Sequence, residues 1–193
     1  MIDNITLDNL HIGCKASNKA EVIAMIGAEF KAKGYVNQEC VHFLLEREHQ
    51  VSTFLGNGIT LPHLPKSATD IILKTGIEIY QFPDGVIWDR SNVMFIAIGV
   101  IAKEKEHIDV LKEIASIFSD ELIANALSLI SDKHDFLKIL QHNALPIKYD
   151  TDRSSGPGRI FTPRPANMAN NLILPVITSM AIITRATNVL LLA

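Results

Sequence analysis

The sequence has few of the residues that disulfide-bonded, metal-binding or nucleic-acid-binding proteins require. Cys14 and Cys40 are the only cysteines in 193 residues, and their wide separation favours neither a disulfide framework nor a metal knuckle. Isolated thiols of this kind are typical of a reducing cytosol. The net charge of −3 and the lack of any lysine- or arginine-rich block argue against a surface for nucleic acid.

Familiar catalytic and targeting motifs are also missing. The chain has no H-E-x-x-H, C-x-x-C, G-x-S-x-G or Walker-type glycine loop. Gly56 and Gly58 are spaced as in a phosphate-binding fingerprint, but no helix with a third glycine follows them. The first residues, MIDNITLDNL, lack a basic region and an unbroken apolar run, so we predict no secretory signal. Neither a cofactor nor a metal ion is predicted.

Helical periodicity is clear in five segments. Asn18 and Glu21 resemble a capping box ahead of an apolar stripe that ends at Gly34. A second helix is predicted over NQECVHFLLEREH, with its charged residues pointing outward. A third is predicted in KEKEHIDVLKEIASIFSD, with inward-facing residues Ile108, Leu111, Ile114, Ala115 and Phe118. DELIANALSLIS and KHDFLKILQH predict the last two.

Strand patterns alternate with these helices. Short strands are predicted around residues 59–61 and 71–80, and PDG at residues 83–85 predicts a turn. NVMFIAIGVIA is a continuous apolar run, typical of a strand that is buried on both faces. The alternation predicts an α/β fold in which helices cover a central mixed sheet.

The composition changes near Tyr149. The stretch DTDRSSGPGRIFTPRPAN is rich in proline, glycine, arginine and serine, which predicts a linker or disorder. An apolar end follows, but Pro175, Arg185 and Asn188 interrupt it, which is unfavourable for a membrane span. We therefore predict one domain over residues 1–148 and a tail over residues 149–193. We expect this tail to be unfolded or loosely docked, with a displaced reading frame or a fusion junction as its possible origin, and a membrane-associated tail is the less favoured alternative.

Two histidines and one arginine are the candidates for chemistry. Prolines on both sides of His63 would fix the direction of its imidazole, although loop histidines often serve only as local hydrogen-bond partners. His107 is predicted at the start of a helix, where the helix dipole favours a neutral imidazole and a nearby anion. It could equally be a solvated histidine among charged neighbours. Arg47 could clamp an oxyanion or lie in an acidic surface patch.

The combination of motifs is more specific than any one of them. LLEREHQVSTFLGNGI, GNGITLPH, QFPDGV and EHIDVLKEIA, in this order, resemble the enzyme IIA proteins of the mannitol and fructose branch of the bacterial phosphotransferase system. The resemblance covers about residues 2–145 and implies a mixed five-stranded sheet flanked by helices. It implies that His63 is phosphorylated by the phosphocarrier protein HPr, that His107 contacts the phosphoryl group, and that Arg47 lines the same pocket.

The same resemblance implies partners and a location. His63 would pass the phosphoryl group to a cysteine of a sugar-specific enzyme IIB, with mannitol the preferred sugar. The protein would be cytoplasmic and would meet the membrane complex of enzymes IIB and IIC. One departure is Leu64, where the family commonly has glycine, and PHLPKS is closer to fructose-branch forms. A fructose-specific enzyme IIA, a regulatory protein of the nitrogen-related type and a truncated product therefore stay open as alternatives.

Overall fold

The computed structural model describes residues 4–103 and 106–144, and the predicted tail over residues 149–193 lies outside them. A mixed sheet of five strands, in the order β1-β4-β5-β3-β2, forms its centre. β1 is parallel to β4 and β3 is parallel to β5, whereas the β4–β5 and β2–β3 pairs are antiparallel. The strands are Leu10–His11 (β1), Phe54–Gly56 (β2), Ile59–Thr60 (β3), Gly76–Ile87 (β4) and Val93–Ile101 (β5).

Helices cover both faces of this sheet, which confirms the predicted α/β fold. They are Lys19–Ala32 (α1), Val41–Gln50 (α2), His107–Phe118 (α3), Glu121–Leu129 (α4) and Lys133–Ala144 (α5). Short 3₁₀ helices lie at Leu7–Asn9 and Lys66–Ile71. None of the helices in the described ranges has the length and apolar character that crossing a membrane requires.

Among the described residues, the core consists of two apolar clusters, one on each side of the sheet. One cluster joins the sheet to α3, α4 and α5, and the other joins it to α1 and α2. β5 contributes to both, because Ile96 and Ile98 belong to the first cluster while Ala97 and Ile101 belong to the second. This alternation explains the unbroken apolar run of β5 and confirms that the strand is buried on both faces.

The first helix follows its sequence signals closely. The Asn18 side chain accepts a hydrogen bond from the Glu21 backbone N–H at 3.0 Å, as an N-cap does. The predicted stripe of Val22, Ile23, Ile26 and Phe30 is buried. Gly34, with φ of +66°, follows the helix in the left-handed conformation that ends many helices.

The second and third helices differ from their predictions. α2 begins at Val41 rather than at Asn37, and Glu48 is buried, so the prediction that its charges all point outward is wrong. In α3, Ile108 is 55% exposed, whereas Val110 is buried at 2%. The inward stripe of α3 therefore includes Val110, Ile114, Ile117 and Phe118, and the prediction for Ile108 is wrong. At about 100° per residue, Ile108 lies about 160° around the helix axis from Val110 and therefore on the opposite, outward face of α3.

The strand predicted at residues 71–80 begins later and extends further. Lys66–Ile71 is a 3₁₀ helix, and β4 begins at Gly76 and continues to Ile87. Residues 83–85 therefore do not reverse the chain; they lie where the β4–β5 register shifts between Gln81 and Val86. Such a bulge places extra residues in one strand without ending it. The chain reverses at residues 88–92, where the Trp88 N–H donates to the Asn92 carbonyl at 2.9 Å.

Candidate active site

His63 lies just beyond the end of β3 and is held against the sheet. Its backbone forms a parallel bridge with Val100 of β5, and the Pro62 carbonyl accepts a hydrogen bond from the Val100 N–H at 2.9 Å. Pro62 needs no donor of its own in this arrangement, since only its carbonyl is used. Leu64 and Pro65 on the other side are buried. The backbone of His63 is thus anchored by the sheet on one side and by buried residues on the other.

Two hydrogen bonds define the protonation state of the His63 ring. Nδ1 lies 2.7 Å from the Leu61 carbonyl oxygen, which can only accept, so Nδ1 carries the proton. Nε2 lies 3.1 Å from Nε of Arg47, which can only donate, so Nε2 presents its lone pair. The half-buried imidazole is therefore neutral, with a nucleophilic Nε2.

Arg47 reaches His63 from the last turn of α2. Its Nη1 donates to the Val51 carbonyl at 2.8 Å, which ties the guanidinium to the residue that caps the helix. The carboxyl end of a helix carries partial negative charge and favours a cation at this position. The structure therefore brings Arg47 and His63 together, and Arg47 is not merely a member of an exposed acidic patch.

An open pocket of about 450 Å³ lies beside the imidazole. Arg47 and Lys66 contribute positive charge to its wall, and none of the lining residues that the structure describes carries a carboxylate. The lining residues are Arg47, Gln50, His63, Leu64, Pro65, Lys66 and Ser67. An anion next to His63 would thus meet two cations. Lys66 was not among the predicted site residues, although its position three residues after His63 and directly after Pro65 could have indicated it.

The buried carboxylate of Glu48, which follows Arg47 on α2, was not among the predicted site residues. Glu48 is 4% exposed. One of its oxygens accepts from the Thr53 N–H at 2.8 Å and from the Thr53 hydroxyl at 2.6 Å. The other accepts from Lys19 Nζ at 3.0 Å and from Trp88 Nε1 at 2.9 Å. Glu48 lies four residues after the buried Leu44, so the two residues share one face of the helix. This spacing indicates a buried position, although a charged residue is usually expected on the exposed face.

Glu48 stays ionised in this environment. Burial opposes ionisation, but hydrogen bonds from Thr53 and the charge and hydrogen bond of Lys19 outweigh it and lower the pKa of the Glu48 carboxyl. The carboxylate therefore acts as a fixed acceptor for four donors at the junction of α1, α2 and the end of the β4–β5 hairpin.

His107 is the first residue of α3, as the sequence predicted. The structure describes its backbone but not its side chain. The contact between His107 and a phosphoryl group therefore stays a prediction.

Within residues 4–103 and 106–144, one group of side chains could hold a metal ion by distance alone. It consists of His11, Glu29 and Glu78. Lys33 Nζ lies 2.8 Å from Glu78 Oε2 and 3.3 Å from Glu29 Oε1, so the two carboxylates already share one ammonium as an ion-pair partner. This group resembles an internal ion-pair network rather than a metal centre.

Known proteins match the same part of the chain. A family model described as "Phosphoenolpyruvate-dependent sugar phosphotransferase system, EIIA 2" matches residues 4–143. The multiphosphoryl transfer protein of Escherichia coli O157:H7 is 36% identical over 136 residues, which are 70% of this chain and 36% of that protein. The mannitol-specific EIICBA component of Vibrio cholerae serotype O1 is 40% identical over 135 residues, 69% of this chain and 21% of that protein.

The fold agrees with these sequence matches. A solved complex of enzyme IIA-mannitol and phosphorylated enzyme IIB-mannitol from Escherichia coli aligns with a TM-score of 0.68 and 30% identity. The alignment covers 72% of this chain and 98% of the solved one. The resemblance inferred from the motifs is therefore confirmed. The chain spans about a third of the multiphosphoryl relative and about a fifth of the mannitol-specific one.

Proposed function

Because the chain belongs to the EIIA 2 family of the phosphoenolpyruvate-dependent sugar phosphotransferase system, we propose that it carries a phosphoryl group on Nε2 of His63. The donor is phospho-HPr, and the acceptor is a cysteine of a mannitol-specific enzyme IIB. The observation that carries this proposal is the pair of bonds on the His63 ring. They keep the proton on Nδ1 and the lone pair on Nε2, which faces Arg47 across 3.1 Å.

Phosphorylation needs a nucleophile that is already deprotonated. The Nε2 lone pair attacks the phosphorus, the Nε2–P bond forms, and the donor's bond to phosphorus breaks with its electron pair left on the donor atom. The proton stays on Nδ1 throughout, where it donates a hydrogen bond to the Leu61 carbonyl, so His63 requires no general base. The Arg47 N–H that now faces Nε2 moves to an oxygen of the incoming group.

Charge on the transferred group is the second requirement. Phosphoryl transfer depends on positioning and on stabilising the equatorial oxygens more than on acid–base catalysis. Arg47 and Lys66 in the pocket wall supply two positive charges for a group that carries nearly two negative charges at neutral pH. His107, at the start of α3, is proposed as a third contact, in keeping with the family resemblance.

Onward transfer reverses the first step. A cysteine thiolate of enzyme IIB attacks the phosphorus, the S–P bond forms, and the Nε2–P bond breaks and returns its electron pair to Nε2. Mannitol is supported as the sugar by the 40% identity to a mannitol-specific relative and by the likeness to the enzyme IIA-mannitol complex. Such an exchange takes place in the cytoplasm, at the inner side of the membrane transporter.

The phosphorylation experiment uses the full chain with phosphoenolpyruvate, enzyme I and HPr. We expect one acid-labile phosphoryl group per chain, attached to Nε2 in the ³¹P and ¹⁵N NMR spectra. His63→Ala should abolish the label. His49→Ala is the matched control, because His49 lies exposed at the same end of α2 and does not line the pocket. Labelling that persists in His63→Ala would refute the site assignment.

The acceptor experiment separates the sugar alternatives. The phosphorylated chain is mixed with purified enzyme IIB domains specific for mannitol or for fructose, and loss of label from His63 is followed in time. We expect rapid transfer to the mannitol domain. Preferential transfer to the fructose domain would reassign the sugar, and transfer to neither would favour the regulatory alternative.

A further inference from the structure

A closed series of contacts connects the buried Glu48 carboxylate to both nitrogens of the His63 ring. Glu48 accepts from Thr53, the Thr53 carbonyl accepts from the Leu61 N–H at 3.0 Å, and the Leu61 carbonyl accepts from His63 Nδ1 at 2.7 Å. His63 Nε2 accepts from Arg47, which directly precedes Glu48 on α2. We call these five residues the Glu48 network.

The carboxylate is the fixed point of this network. Glu48 is fully hydrogen-bonded and 4% exposed, and Lys19 and Trp88 hold the oxygen that Thr53 does not use. Lys19 belongs to α1 and Trp88 lies at the end of the β4–β5 hairpin, so three parts of the fold converge on one side chain. A shift of α2 relative to the sheet would therefore break hydrogen bonds of this carboxylate.

Two dependent positions follow from this fixed point. The Thr53 main chain, held at its N–H by Glu48, sets the place of Leu61, whose carbonyl receives the His63 proton. The α2 backbone, held by the same carboxylate, sets the place of Arg47, whose Nε faces the nucleophilic nitrogen. The separation between the proton acceptor and the guanidinium therefore depends on Glu48.

We propose that Glu48 is a positioning residue for phosphoryl transfer, which keeps the His63 proton on Nδ1 and so directs the phosphoryl group to Nε2. This inference rests on the proposed function of His63. Without the network, either ring nitrogen could carry the proton, since the two tautomers of a histidine are chosen by its hydrogen-bond partners. The unprotonated nitrogen would then alternate, and with it the site of attack.

The test uses two variants in the network and one control. Glu48→Gln keeps the shape but places an amide N–H₂ against converging donors, and Thr53→Val removes only the hydroxyl contact. Glu78→Gln is the control, because Glu78 is also fully buried with several hydrogen-bond donors but lies outside the network. The ¹⁵N shifts of the His63 imidazole report its tautomer, and phosphoramidate serves as a chemical phosphoryl donor that needs no protein partner.

We expect His63 in the wild-type chain to be protonated on Nδ1 and phosphorylated on Nε2 alone. Glu48→Gln should give mixed tautomers, a measurable share of Nδ1-phosphohistidine and transfer from phospho-HPr that is slower by about tenfold or more. Thr53→Val should change the same quantities in the same direction to a smaller extent. Glu78→Gln should leave the tautomer and the site of phosphorylation as in wild type, even where it lowers stability.

Two results would overturn the proposal. One is a wild-type tautomer and exclusive Nε2 labelling in both Glu48→Gln and Thr53→Val. The other is an equal change in Glu78→Gln, since that would reduce Glu48 to a general contribution to stability. Failure of the proposed function would give a different result, in which the wild-type chain takes no phosphoryl group from phospho-HPr. The ¹⁵N shifts would still show whether Glu48 determines the His63 tautomer.

Discussion

At the scale of single residues, Leu64 connects the candidate active site to the core. It lines the pocket beside His63 and is only 3% exposed. Its side chain belongs to the apolar cluster on the α1 and α2 side of the sheet, together with Ala68 and Met94. The leucine that departs from the family's usual glycine therefore packs its side chain into the core while it also forms part of the pocket wall.

Truncation of this side chain should reduce stability more than activity. We expect Leu64→Ala to lower the free energy of unfolding by about 2–4 kcal/mol, because a buried leucine loses its transfer energy and leaves a cavity. Leu73→Ala, at a leucine that is 52% exposed, should change it by less than about 0.5 kcal/mol. Urea unfolding measures both. Loss of phosphorylation in folded Leu64→Ala without loss of stability would contradict this assignment.

At the scale of elements, the bulge in β4 depends on a glycine that the sequence displays as part of a turn signal. Gly85 has φ of +70°, and a Cβ built there would lie 2.7 Å from Val93 Cγ1 and 3.0 Å from Phe95 Cε1. Gly13 has nearly the same φ of +71°, but no atom of the described residues lies within 4 Å of a Cβ built there. Substitution of Gly13 therefore tests backbone strain alone, whereas substitution of Gly85 tests backbone strain together with steric contact.

Alanine at these two positions should give different losses. Gly13→Ala should lower the free energy of unfolding by about 1–2 kcal/mol, the cost of a left-handed backbone with a side chain. Gly85→Ala should cost about 1–3 kcal/mol more, because its methyl group must displace β5 side chains. Urea unfolding of both variants at one pH gives the comparison. Equal losses would show that β5 yields to the extra methyl group at little cost.

The elements also show what local sequence can predict and where it cannot. α1 and β5 were predicted well, because a capping residue with a helical stripe and a continuous apolar run are local signals. The predicted strand at residues 71–80 begins before β4 and ends before it. The sequence PDG alone is typical of a turn, whereas here it belongs to a bulge that the neighbouring strand β5 stabilises. Pairing of Arg47 with His63 came from the family resemblance, since no local pattern states which helix end meets which strand.

At the scale of the whole molecule, two ionised carboxylates are buried within the part of the chain that the structure describes. Glu48 supports the side of the sheet where α1 and α2 pack. Glu78, on β4, is fully buried and bonds to Asn9, His11, Lys33 and Tyr35. Both join elements that are far apart in sequence, so the charge state of two side chains affects how the entire described domain holds together.

This arrangement predicts a loss of stability in acid. Burial opposes ionisation of Glu78, but hydrogen bonds from His11, Lys33, Asn9 and Tyr35 outweigh it and lower the pKa of its carboxyl, as Thr53 and Lys19 do for Glu48. A carboxyl whose pKa is lower in the folded state contributes stability above its unfolded pKa of about 4.3, and the contribution disappears as the pH falls below that value.

Urea unfolding of the wild-type chain from pH 7 to pH 3.5 should therefore give a free energy that is steady near neutrality and falls below about pH 5, where the unfolded chain binds more protons than the folded one. Glu78→Gln should make this fall shallower, while Glu39→Gln, at an exposed glutamate, should leave it unchanged. Since loss of a buried ion-pair partner can itself cost about 3–5 kcal/mol, a carboxyl ¹³C titration of wild-type Glu78 gives a second measurement. A Glu78 that titrates at or above the ordinary value would contradict the prediction. The unfolded chain would then bind no more protons at this carboxyl than the folded chain, so the loss of stability in acid would not come from Glu78.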